Sequence, residues 1–337
     1  MEAFTSTPLV PAHVPGNHPL VTREYSLFTP AIAQMADRVA GWLDDQIDGA
    51  TVYGPSRFGK SSAVDNWLAS LLSERCRGHV PMVVWSHTDS GGSQSVGRFH
   101  AHLLLASHHP LAKATRSPLD REHMLIERWA ELADQGGGRF LVLVIDEAQG
   151  MTQREWMWLV ELHSLLEKEH VRLGVFSIAS LQFFDEPVAM AMMGGAHVAA
   201  RFMLAAEPFH GVRCAEELAF ILSGYDRGTE WPRASGVSFT AGLAPKAWDE
   251  GFRMEQLADI MWQAMTEELP DRYAGPVEFP MKTVAQSARH ALLRIAGGAD
   301  PHDVGTAQAM RSIVRGCGHR QLMAMVTALA PRVRRQA

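Results

Sequence analysis

No apolar run in the chain is long enough to span a bilayer, and the N-terminus lacks the basic patch and apolar stretch that mark a signal peptide. A membrane protein is therefore not expected, and a cytoplasmic one is. Cysteine is scarce. Cys76, Cys214 and Cys317 stand singly, without the close pairing a zinc site needs or the density of a disulfide scaffold, so they read as reduced core residues. Positive charge is not in excess either. Lys and Arg number 31 against 37 Asp and Glu, a formal net charge of −6, which excludes a globally basic nucleic-acid coat but leaves room for a local basic track. The remainder is ordinary: 337 residues, 47% hydrophobic and 20% charged, suit one large or two modest domains with an ample core.

Against this background one loop stands out, Gly54-Pro55-Ser56-Arg57-Phe58-Gly59-Lys60-Ser61. It meets every fixed position of G-x-x-x-x-G-K-[ST]. In that pattern glycines let successive backbone N–H groups curl round a polyphosphate, while the lysine answers its charge and the serine its metal. The motif needs a strand before it and a helix after it. Ala50 to Tyr53 is β-prone, and from Ser61 and Ser62 onward apolar residues recur at helical spacing through Leu72. A phosphate here would also face the positive end of that helix.

A second strand is read at Pro81 to Trp85, followed by a polar loop over Ser86 to Arg98 at the edge where open α/β sheets gather ligands. His87, His100 and His102 lie in or beside it and read as polar loop or surface residues, because histidines two apart do not share a helix face. Phe140 to Ile145 is the most apolar stretch of the protein, as a central parallel strand requires, and it ends in Asp146-Glu147. Asp146 is placed to hold a magnesium ion and Glu147 to orient or deprotonate a water aimed at a γ-phosphate.

An amphipathic helix over Gln153 to His170 leads to a buried strand, Val171 to Ile178, whose tip carries Ser177, Ser180 and Gln182. Those side chains suit contact with a γ-phosphate or simply a polar strand end. A Met-rich helix at Val188 to Met193 follows, broken at Gly194-Gly195. Arg201, before an expected fifth strand, reads either as a charge reaching into a neighbouring subunit's nucleotide or as a solvated arginine.

The chain divides on this reading into an extended N-terminal arm (1–24), an α/β nucleotide-binding domain (25–212), a helical lid (213–330) with an insertion at about 226–250, and a basic tail (331–337) that includes Arg332, Arg334 and Arg335.

Taken together, the loop ending in Lys60-Ser61, the strand ending in Asp146-Glu147, the polar tip at Ser177 to Ser180, Arg201 and the helical C-terminal part resemble an AAA+ ATPase. The implied fold is a P-loop AAA+ core, a parallel sheet flanked by helices, with a helical C-terminal lid. ATP and Mg²⁺ are the implied cofactors. Ser61 and Asp146 would serve the metal, and Ser177 or Ser180 the sensor at the strand tip. Gly316-Cys317-Gly318-His319-Arg320 opens a lid helix, and Arg320 resembles the second sensor arginine.

Ile145-Asp146-Glu147-Ala148-Gln149 is similar to the wording of transposition regulators of the TniB, TnsC and MuB type. That resemblance implies a bacterial ATPase that assembles as a ring or helical filament on double-stranded DNA, links a target selector to a transposase, and disassembles on hydrolysis. DNA contacts are then expected among Arg98, Lys113, Arg116 and Arg121. The alternative is a nucleotide-switched ATPase of signalling or secretion that binds only proteins. A small-molecule kinase is less favoured, since no acceptor site is evident.

Overall fold

The computed structural model describes residues 8–329 except 89, 90, 92, 93, 182–185, 272 and 274. Gln182 and the basic tail with Arg332, Arg334 and Arg335 lie outside the described residues. The chain divides into two compact units, one built on a sheet (Ile32–Pro55 and Lys60–Phe209) and one helical (the segment up to Ala31, Ser56–Gly59, and His210 onward). No helix among the described residues is long and apolar enough to cross a membrane.

Five strands form the sheet: β1 (Gly49–Tyr53), β2 (Met82–Ser86), β3 (Phe140–Asp146), β4 (Arg172–Ala179) and β5 (Ala205–Pro208). All pair in parallel, in the order β2-β3-β4-β1-β5. β3 is apolar on both faces because helices cover both, and Leu141 to Ile145 are fully buried. Gly49 opens β1 where a Cβ would stand 2.8 Å from the Val175 carbonyl oxygen and 2.9 Å from Phe202 Cα, so no larger residue fits. Trp129, Trp156, Leu159 and Phe202 complete the core of this unit. The helix Gln153–Lys168 is started by a capping box in which the Thr152 side chain takes the Glu155 N–H and Glu155 takes the Thr152 N–H.

Register brings the chemistry to one edge. Tyr53 lies opposite Ala179, Ile145 opposite Ser177, and Ser86 opposite Asp146. Gly54, Ser180 and Glu147 therefore leave the sheet together at its carboxyl end, where ligands of parallel sheets bind.

The helical unit packs the helices Ala215–Ser223, Ala258–Glu267, Met281–Ala296, Ala307–Gly316 and His319–Leu329 around Tyr225, Met261, Phe279 and Leu292. The segment expected to be an extended arm is part of this core. Pro19–Thr22 forms a helical turn, Val14 and Leu20 are buried, and Arg289 Nε donates to the Leu20 carbonyl at 2.6 Å. The 226–250 stretch, expected as a long connection, carries the short helices Phe239–Leu243 and Pro245–Asp249.

The expected Met-rich helix is likewise subdivided. It runs as Glu186–Met190, a wide turn Ala191–Gly195 in which Gly194 is left-handed, and Ala196–Phe202. The cysteines are free as expected, yet they are not core residues: Cys76 is exposed and Cys214 and Cys317 are half-buried.

Candidate nucleotide site

The loop Gly54–Ser61 is built from local backbone demands. Gly54 bonds through its N–H to the Ala179 carbonyl at 3.2 Å, and a Cβ at this position would sit 2.6 Å from the Phe209 carbonyl oxygen. Arg57 (φ 71°) and Gly59 (φ 111°) take left-handed conformations, which turn the chain tightly enough to gather N–H groups into a concavity. Phe58 is buried beside Gly211, where a Cβ would meet its ring at 2.7 Å. The Arg57 carbonyl accepts from the Lys282 N–H at 3.1 Å.

The helix begins at Lys60, as Lys60–Ala63, passes through a π-turn at Val64–Leu68, and continues as Ala69–Arg75. Ser61 and Ser62 lie half-buried in its first turn. Lys60 Nζ donates to the Gly54 and Pro55 carbonyls, each at 2.8 Å, so the ammonium is fixed at the loop. Burial lowers its pKa to about 8 even though Glu147 and Asp146 act to raise it. A lysine in this setting is short of negative charge.

Across the edge, Asp146 is buried and its Oδ1 accepts the Glu147 N–H at 3.0 Å. Glu147 itself is exposed, in a left-handed conformation (φ 57°, ψ 38°) that costs on the order of 1 kcal/mol or more for a residue with a Cβ. Its carboxylate accepts from Gln149 Nε2, and Gln149 Oε1 accepts from the Ser180 N–H at 3.0 Å. Asp65, which the sequence reading passed over, has its carboxyl raised by burial and by Asp146. Among the described residues no three His, Cys, Asp or Glu side chains cluster as a metal site.

Comparison with known proteins bears on the sheet that carries this edge. Residues 48–183 match a family model described as AAA domain.

The likeness of fold extends beyond that segment. It is similar to the Aeropyrum pernix ORC2 protein, whose structure was determined as ADPNP-ADP complexes, at TM-score 0.55 and 12% identity, covering 89% of this chain and 71% of that one. Lower similarity extends to Drosophila ORC bound to DNA (TM-score 0.48, 13% identity, 90% of this chain and 72% of that) and to the Aeropyrum pernix ORC1 protein in complex with DNA (TM-score 0.41, 17% identity, 83% and 67%). No curated protein sequence matches the chain.

Around the sheet the other expected residues are more dispersed. Ser177 is fully buried inside β4, opposite Thr51 and Ile145, whereas Ser180 follows the last residue of that strand. Arg201 lies in the last turn of the helix Ala196–Phe202, just before β5 as expected, and its Nη1 donates to Ser164 Oγ at 3.3 Å. Arg98 is half-buried at the start of the helix Val96–Ala106. Arg121 Nη1 donates to the Gly97 carbonyl at 2.8 Å and ties that helix to Pro118–Gln135, while Lys113 and Arg116 are exposed in the connection.

His87 and His100 correct the reading of surface histidines. Both are buried, and His87 Nε2 faces the Glu155 carboxylate at 3.2 Å. In the helical unit, Arg320 donates to Asp271 Oδ1 at 2.7 Å and to the Leu269 carbonyl at 3.3 Å. The same unit has a small, mostly apolar pocket lined by Thr29, Pro30, Phe58, Gly211 and Met281, which the sequence did not announce.

Proposed function

We propose that this sheet-edge site is that of an AAA domain which binds ATP with Mg²⁺ and hydrolyses it. The observation that carries this reading is the placement of the Lys60 ammonium, pinned by two loop carbonyls, within electrostatic reach of Asp146 and Glu147 at one sheet edge. Loop N–H groups and Lys60 would hold the phosphates. Ser61 and Asp146 offer the hard hydroxyl and carboxylate oxygens that suit Mg²⁺, which would draw charge from the phosphate oxygens. Glu147, exposed beyond the strand end, would orient the attacking water. Ser180 is the strand-tip polar residue at the edge and the better placed of the two serines for γ-phosphate contact. Arg201 and Arg320 would act only after leaving the bonds to Ser164 and Asp271 described above.

At a finer level, we infer an ATP-dependent DNA-binding regulator of DNA transposition that oligomerises on duplex DNA and joins a target selector to a transposase. The Asp146-Glu147-Ala148-Gln149 wording supports it, with Lys113 and Arg116 exposed for phosphate contact. A second reading, a protein-binding switch ATPase that does not touch DNA, is favoured by a different observation: Arg121 is spent on an internal helix contact, which thins the basic track. Binding to random-sequence duplex DNA with ATP, ADP or no nucleotide across a salt series, with the same samples imaged by electron microscopy, separates them. ATP-dependent, salt-sensitive rings or filaments are expected for the regulator; no DNA binding in any nucleotide state selects the protein switch.

A further inference from the structure

Gln149 stands two residues beyond Glu147 and makes two hydrogen bonds that point in different directions. Its Nε2 donates to Glu147 Oε2, and its Oε1 accepts from the backbone N–H of Ser180, 31 residues away at the end of β4. The short helical turn Ala148–Gly150 makes this possible. Ala148 is buried and anchors the turn, and the left-handed backbone of Glu147 reverses the chain so that residue 149 comes back over the strand end. One amide thus reads both a carboxylate and a backbone N–H, donating from its nitrogen and accepting at its oxygen, as Asn would too. Asn is one methylene shorter.

An exposed glutamate ordinarily samples many rotamers, and holding one carboxylate oxygen fixes the other. With Oε2 engaged by the amide, Oε1 is the oxygen left to accept from a water. We propose that Gln149 is a positioning residue that ties the Glu147 carboxylate to the tip of β4, so that movement of that tip sets the aim of the water-orienting group. The inference rests on the ATPase reading above and adds to it a route by which β4 controls the rate. A displacement of Ser180 by a contact at the sheet edge is passed through one side chain to Glu147. The link is short and contains no step that needs the rest of the fold to move. Misalignment of a catalytic group by about 1 Å is enough to cost as much as a hundredfold in rate.

The test pairs two variants that cut opposite ends of the link. Gln149→Ala removes the amide; Ser180→Pro removes the N–H that Gln149 accepts. Each is expected to lower kcat for ATP about ten- to hundredfold. In Gln149→Ala, KM and ADP affinity should stay within about twofold, because the phosphate-holding groups are untouched; Ser180→Pro also loses the hydroxyl placed for γ-phosphate contact, so there only ADP affinity is expected to hold. Gln149→Ala should also speed exchange of the Ser180 amide proton. The double variant is expected to be no worse than the stronger single one, since both break the same unit. Unchanged kcat in Gln149→Ala, or losses that multiply in the double variant, overturns the proposal while leaving the ATPase reading intact. A parent protein with no ATP hydrolysis removes that reading, and this inference with it.

Discussion

Two regions of the molecule treat buried and half-buried charges in opposite ways. At Glu268 and Asp226 of the helical unit they are matched at short range. Glu268, 3% exposed at its side chain, takes Arg311 Nε at 2.7 Å and Arg315 Nη2 at 2.8 Å, and Asp226 accepts the N–H groups of Met254 and Glu255. At the sheet edge opposite charges are near enough to be felt but are not joined. Lys60 bonds to carbonyls and Asp146 to a backbone N–H, and neither makes an ion pair among the described residues. Charges that satisfy each other hold a fold together; charges kept within reach but unjoined are available to a ligand.

This contrast is sharpest at Lys60. Lys60→Ala is expected to weaken nucleotide binding at least a hundredfold, as read by titration calorimetry, with a change in unfolding free energy within about 1 kcal/mol. A variant that bound nucleotide normally would remove the contrast. The reverse pattern is expected in the helical unit. Glu268→Ala removes the shared partner of Arg311 and Arg315 and is expected to lower stability modestly in chemical denaturation, because both arginines are exposed enough for water to solvate them. Nucleotide affinity of the folded fraction should be unchanged.

Two pH effects follow. His319 is fully buried, bonded to Thr283 and packed edge-on against Phe279, and burial lowers its pKa to about 4. Since its folded pKa lies below the ordinary 6.5, its neutral form is favoured by folding. The contribution is complete above about pH 6.5 and is lost as pH falls toward 4, reaching on the order of 2 kcal/mol at pH 5. His319→Gln should flatten that part of the stability profile. For Lys60 the window is alkaline. With a pKa of about 8, it begins to lose its charge above that pH unless phosphate is bound, so nucleotide affinity should fall by up to about tenfold per pH unit, with proton uptake on binding.

The parts of the fold that depend on local pattern were legible in the sequence. The apolar run of β3 and the Gly54–Ser61 loop declare themselves because a buried parallel strand and a phosphate loop each need a contiguous set of residues. Features made by distant pairs were not. His87 looks like a loop residue until Glu155, 68 positions on, is brought to it. Leu20 sits in a Pro- and His-rich segment whose burial is fixed by Arg289, far along the chain. The five-residue helices at Phe239 and Pro245 are too short to show a period. Gln149 was readable as part of a motif, whereas its bond to Ser180 was not, because nothing local places β4 beside β3.

The measurement that bears most directly on the account is phosphate release from ATP by the parent chain and by Glu147→Gln, with ATP binding determined on both. The account predicts that the parent turns over, that Glu147→Gln binds ATP with similar affinity, and that its rate falls at least a hundredfold. Equal rates in the two proteins, or a parent that neither binds nor hydrolyses ATP, would contradict it.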